Sequence, residues 1–174
     1  MKEINSNTIY FAKTSPDAII PNKREEDAGY DVYPKFPEKY MVLQPHETRM
    51  IPTGIASAFS SEYVFILKER GSTGTKGIAQ RCGVIDSGFR SEWKVPITNT
   101  TDKVMFISKL SEEDTYKDYY GDIMPKSFVY PYSKAIAQGI LVPVPVVDVV
   151  EIEYDELLGI ESERGLGMLG SSKK

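Results

Sequence analysis

The sequence predicts an all-β fold, on three observations. Runs of strand-forming residues recur at short spacing, clusters of Pro, Gly, Asn and Asp separate them, and no segment sustains an amphipathic helical period over three turns. Many short strands in this rhythm make a barrel, sandwich or jelly roll. In chain order, the apolar and β-branched runs predict strands at 8–12, 30–33, 40–43 and 49–58, followed by 63–69, 78–85 and 93–99. Further strands are expected at 104–107, 136–147 and 149–154, with short helices at 112–120 and 155–158.

Two regions break the rhythm. Residues 108–133 are polar, carry Tyr116, Tyr119, Tyr120, Tyr130 and Tyr132, and exceed a normal hairpin loop, so they read as an insertion. Their tyrosines either form a surface for a protein partner or pack the segment onto its own barrel. The C-terminal Arg164-Gly165-Leu166-Gly167-Met168-Leu169-Gly170-Ser171-Ser172 has too much glycine to fold alone. The expected organisation is one β domain over 1–160 and a flexible arm over 161–174.

At 174 residues one core is expected. With 21 Lys+Arg against 25 Asp+Glu, the net charge of -4 argues against a general nucleic-acid or membrane-surface binder and leaves room for one concentrated basic site. The single cysteine, Cys82, forms no internal disulfide and fits a reducing compartment. Its place in the apolar run 78–85 predicts a small buried hydrophobe rather than a nucleophile. His46 is the only histidine and sits in a turn, so a Cys/His zinc site cannot be assembled. Met1 to Asn7 lack the apolar run of a signal peptide and no segment reaches membrane-spanning length, so a cytoplasmic protein is expected.

The stretch Glu69-Arg70-Gly71-Ser72-Thr73-Gly74-Thr75-Lys76-Gly77 combines glycines, hydroxyls and two cations, as a phosphate cradle does. It is not a P-loop. Thr75 and Gly77 flank Lys76 where that motif needs Gly and Ser or Thr, and no helical stripe follows. A loop between strands still binds anions when successive backbone N–H groups form a nest. An ordinary polar turn is the other reading of the loop alone.

Further along come Asp86 in a turn followed by an aromatic, Gln138 in an apolar strand, and Arg164 in the tail. Asp27-Ala28-Gly29-Tyr30-Asp31, Arg70 to Lys76, Gly83-Val84-Ile85-Asp86-Ser87-Gly88-Phe89-Arg90, Ala135-Ile136-Ala137-Gln138 and Arg164 to Ser172 stand in that order along the chain. On these five motifs the sequence resembles the trimeric all-β deoxyuridine triphosphatases.

The resemblance implies a dUTPase-like jelly roll or distorted β-barrel, in a homotrimer whose active sites are shared between subunits. It implies hydrolysis of dUTP to dUMP and pyrophosphate with Mg²⁺. Asp31 then serves the metal and triphosphate, and Arg70, Gly71 and Ser72 bind phosphate. Gly71 departs from the serine that usually follows this arginine. Asp86 takes the proton of the attacking water. Val84, Ile85 and Lys94 read uracil through the main chain, Gln80 lies near the base, and Phe89 packs under the deoxyribose where a tyrosine is usual. Gln138 contacts the α-phosphate. Arg164, Gly170 and Ser171 cover the phosphates, and Leu169 replaces the phenylalanine that caps uracil, with Trp93 a candidate to compensate. The alternatives are a dCTP deaminase using Glu92 and a regulatory nucleotide-binding protein acting through 108–133.

Overall fold

The computed structural model describes residues 4–121 and 126–167. The chain divides into two compact units, Met1–Val144 and Pro145–Lys174. The first holds every strand among the described residues: β1 (Tyr10–Lys13), β2 (Gly29–Val32), β3 (Tyr40–Leu43), β4 (Thr48–Pro52), β5 (Ile55–Ala58), β6 (Tyr63–Lys68), β7 (Ile78–Gln80), β8 (Val84–Ile85), β9 (Lys94–Asn99), β10 (Val104–Ser108), β11 (Ser127–Pro131) and β12 (Ala137–Pro143). Helices α1 (Gly71–Gly74) and α2 (Glu112–Tyr120) interrupt them. The all-β expectation therefore holds.

The strands form four sheets in the orders β1-β5, β11-β10-β3, β2-β12-β6-β8 and β4-β9-β7. Pairing is antiparallel except between β10 and β11. Between the sheets lies an aromatic core in which Phe65 meets Phe59 at 5.2 Å and Trp93 at 5.1 Å, in edge-on contacts. Trp93 is wholly buried, and its indole N–H donates to Ser57 Oγ at 3.0 Å. Burial of large apolar side chains with their polar atoms satisfied is what holds such sheets together.

Two expected strands are each broken in two. The run 49–58 turns at Gly54 (φ 68°), where the Thr53 hydroxyl donates to Trp93 O at 2.6 Å and sends β4 and β5 into different sheets. The run 78–85 turns at Cys82 (φ 55°) and Gly83 (φ 126°). Cys82 is thus exposed in a left-handed turn, not buried in a strand as the apolar run suggests. Its neighbours dictate this: Gly83 O accepts the Leu67 amide at 2.7 Å, and a Cβ on Gly83 would stand 2.7 Å from Leu67 O.

The segment after β10 has its own structure. Ser111 caps α2 by accepting the Asp114 amide at 3.0 Å, Glu112, Glu113 and Asp114 complement the first turn, and Gly121 (φ 66°) ends it. The helix was expected; the strand β11 was not. β11 lies at the edge of its sheet, where Pro131 costs no central ladder bond. Tyr116 and Tyr130 are buried and Tyr119 is exposed, its ring 5.1 Å from Phe106.

In the unit Pro145–Lys174 the expected strand 149–154 is absent, and α3 (Tyr154–Leu158) follows, with Asp155 and Glu156 in its first turn. The prolines at 143 and 145 lack donors and interrupt any continuing ladder. Its apolar side chains are strongly exposed, Val146 and Val149 at 94%.

Candidate active site

The loop from Glu69 to Gly77 connects β6 to β7, between strands as expected. Its centre, however, winds into the single turn α1, which the sequence pattern does not suggest. The cause is local. The Arg70 amide donates to Thr73 Oγ1 at 3.0 Å, and the Thr73 hydroxyl donates to Arg70 O at 2.9 Å, a closed pair sealed by burial of Thr73. The first turn of a helix leaves amide N–H groups without intrahelical acceptors, and here Gly71 and Ser72 carry them at the edge of a cavity.

Sheet register brings the remaining groups to that cavity. Asp31 on β2 stands opposite Gln138 on β12, and β12 pairs in turn with β6, which ends one residue before Glu69. Arg70 closes on Asp31 with two contacts, Nε to Oδ1 at 2.9 Å and Nη2 to Oδ2 at 3.2 Å, each side chain 30% exposed. Its Nη1 donates to Ala135 O at 3.4 Å. Gln138 Nε2 donates to Glu69 O at 2.7 Å, tying the strand to the loop.

Asp31, Arg70, Gly71, Ser72 and Gln138, five of the predicted site residues, thus line one cavity of about 570 Å³. Lys23, Arg24 and Asp27 from the preceding loop also line it. Arg24 grips Asp27 at 2.8 and 3.0 Å, and this hydrogen bond holds the Asp27 carboxyl below the usual carboxylate range. Three cations and two carboxylates make a polar basin suited to a polyanion accompanied by a cation. Among the described residues no group of three or more His, Cys, Asp or Glu is placed to hold a metal by itself. That donor set does fit Mg²⁺, which is held by one or two carboxylates with water and phosphate oxygens completing its shell.

The motif around Asp86 lies outside this cavity. Asp86 is exposed at the start of a turn in which its carbonyl accepts the Phe89 amide at 3.0 Å. Phe89 is 40% exposed and Val84 64%, while Ile85 is buried. This leaves an apolar hairpin edge open to solvent. Gln80 is buried, donating to Arg81 O at 2.6 Å and Cys82 O at 3.1 Å, so it fastens the hairpin from within. Lys94 opens β9 opposite Pro52. Arg164 lies in the unit Pro145–Lys174, its Nε donating to Gly167 O at 3.0 Å. Leu169, Gly170 and Ser171 lie outside the described residues.

Burial and bonding bear on one expectation and on one alternative. Trp93 belongs to the core and cannot lend its ring to a lid over the base. Glu92 is engaged, Oε1 accepting the Gly54 amide at 2.7 Å, which counts against a free acid–base group there. Sequence reasoning missed Glu69, whose carboxylate accepts the Gln80 amide at 3.2 Å while its carbonyl holds Gln138. Backbone hydrogen bonding, first from its own amide, keeps that carboxyl below the usual range. The cations Lys23 and Arg24 were also missed, although their place just before the Asp27 to Asp31 motif was a readable signal.

A family model described as dUTPase matches residues 16–111, more than half of the chain. The deoxyuridine 5'-triphosphate nucleotidohydrolase of Leptospira interrogans is 30% identical over 121 residues, covering 66% of this chain and 83% of that one. Among solved structures, the dUTPase of Staphylococcus bacteriophage 80alpha with dUpNHpp aligns over 97% of this chain and 99% of its own, with a TM-score of 0.74 and 24% identity. A mutant dUTPase from phage phi11 of S. aureus, described with a structural Mg(II) ion, aligns over 86% and 99%, with a TM-score of 0.65 and 22% identity. These structures share the fold, and the family match, over a segment carrying Asp31, Arg70 and Asp86, establishes that the chain belongs to the dUTPase family.

Proposed function

We propose that the chain hydrolyses dUTP to dUMP and pyrophosphate, with Mg²⁺, in the cytoplasm, as a homotrimer in which different copies complete each site. The observation that carries this reading is the cavity joining Asp31, Arg70, Gly71, Ser72 and Gln138. Arg70 supplies fixed charge and a forked donor to phosphate oxygens, the amides of Gly71 and Ser72 add donors, and Gln138 presents a side-chain amide. Asp31, with Asp27 beside it, would hold Mg²⁺, which when bound neutralises and orients the triphosphate.

Asp86 accepts a proton from water as the water oxygen bonds to the α-phosphorus. The α–β anhydride bond breaks, and pyrophosphate leaves with the bonding electrons. Exclusion of Asp86, Val84 and Phe89 from the phosphate cavity supports a shared site, because one copy's hairpin then completes a neighbour's phosphate half. Phe89 retains an apolar face for the deoxyribose. The arm 161–174, bearing Arg164, Leu169, Gly170 and Ser171, covers the nucleotide.

The test is pyrophosphate release from dUTP with Mg²⁺, with dCTP, dTTP and UTP as controls. We expect dUTP-selective release that Asp86→Asn lowers by about 10²-fold or more. Ammonia from dCTP, or equal turnover of dCTP, overturns the assignment.

A further inference from the structure

Strand β11 lies in the tyrosine-rich segment, and its Tyr130 shares a carbonyl acceptor with Arg70, which lines the phosphate cavity. We propose that Tyr130 is a positioning residue for Arg70, and that β11 thereby serves phosphate binding; this rests on the triphosphate reading of the cavity given above. Tyr130 is 1% exposed, and its hydroxyl donates to Ala135 O at 2.6 Å. The same carbonyl accepts Arg70 Nη1 at 3.4 Å. With Nε and Nη2 on Asp31, the guanidinium has a partner at each of its three nitrogens.

The geometry gives the third contact a specific purpose. Two bonds to one carboxylate let a guanidinium swing with that carboxylate, and Asp31 must also serve a metal and phosphates. A contact to a second segment of the chain removes that freedom and orients the fork before ligand arrives. Tyr130 secures that third contact, since Ala135 lies in the β11–β12 connection and its carbonyl accepts the phenol as well as the guanidinium. The ring also meets the far end of the loop, with Lys76 Nζ 5.9 Å from its centroid. Burial pushes the phenol's pKa above its ordinary value.

The test compares wild type, Tyr130→Phe, Arg70→Ala and the double variant. Calorimetric titration with inorganic triphosphate and Mg²⁺ reads the cavity, dUTP turnover reads its use, and thermal unfolding reads the fold. Tyr130→Phe is expected to weaken triphosphate binding and raise KM about five- to tenfold, with a smaller fall in kcat. In the Arg70→Ala background it should change neither. An effect below twofold in folded protein, or an equal effect in both backgrounds, overturns the proposal, as does a wild type that binds no triphosphate. A wild type that binds triphosphate without turning over dUTP removes the substrate reading alone, and the titration still judges Tyr130. If Tyr130→Phe yields no folded protein, difluorotyrosine at 130 keeps ring and hydroxyl while lowering the phenol pKa. Triphosphate affinity should then fall toward alkaline pH in the substituted protein only, and equal pH profiles overturn the assignment.

Discussion

Gly29 lacks a side chain because Gln138 occupies the space that one would need. A Cβ there would stand 2.4 Å from Gln138 Oε1 and 3.0 Å from its Cβ. Gly29→Ala should therefore swing the Gln138 amide away and break its 2.7 Å bond to Glu69 O. We expect a stability loss of about 1–3 kcal/mol and a raised KM for dUTP. Adding Gln138→Ala should restore much of the stability and none of the affinity, read by denaturant unfolding and initial rates. The glycine is legible in the sequence as part of Asp27-Ala28-Gly29-Tyr30-Asp31. Its partner is not, because residues 29 and 138 meet only through the pairing of β2 with β12.

At the scale of elements, α2 is fastened to β3 by one carboxylate. Asp118 accepts Lys39 Nζ at 2.7 Å and the Tyr40 hydroxyl at 2.9 Å, and these bonds, Lys39 first, hold its carboxyl below the ordinary range. A depressed folded-state pKa stabilises the native state above the unfolded pKa, and the contribution is lost as pH falls through the folded value. Wild type should thus be the more stable at neutral pH and converge with Asp118→Asn in acid. Denaturation of both proteins across that range tests this, and a constant difference would refute it. The helix itself could be read from Ser111 and the acids that follow, since capping is a local matter of a few residues. β11 could not, because Ser127 to Pro131 becomes a strand only where β10 offers an open edge. Cys82 likewise read as core, since nothing local reveals that Leu67 and Gly83 pair across the turn.

At the scale of the whole molecule, the unit Pro145–Lys174 exposes valines that an isolated chain gains nothing by carrying. Under the shared-site proposal they pack in the homotrimer. Sedimentation at micromolar concentration should show the trimer. Removing residues 161–174 should cut dUTP turnover by about 10²-fold or more, as loss of charge stabilisation at a closed site does, and leave the unfolding midpoint of the β domain within a few degrees. The sequence by itself determined the all-β class, the short helices α2 and α3, and the family. Each depends on local periodicity, turn chemistry or ordered motifs that survive without coordinates. Only the tertiary structure decided which motif residues share a cavity, that Trp93 is core and Cys82 is surface, and that Tyr130 reaches Arg70 through Ala135. Those facts depend on strand register and on which sheet each strand joins, and long-range pairing leaves no trace in the neighbouring residues.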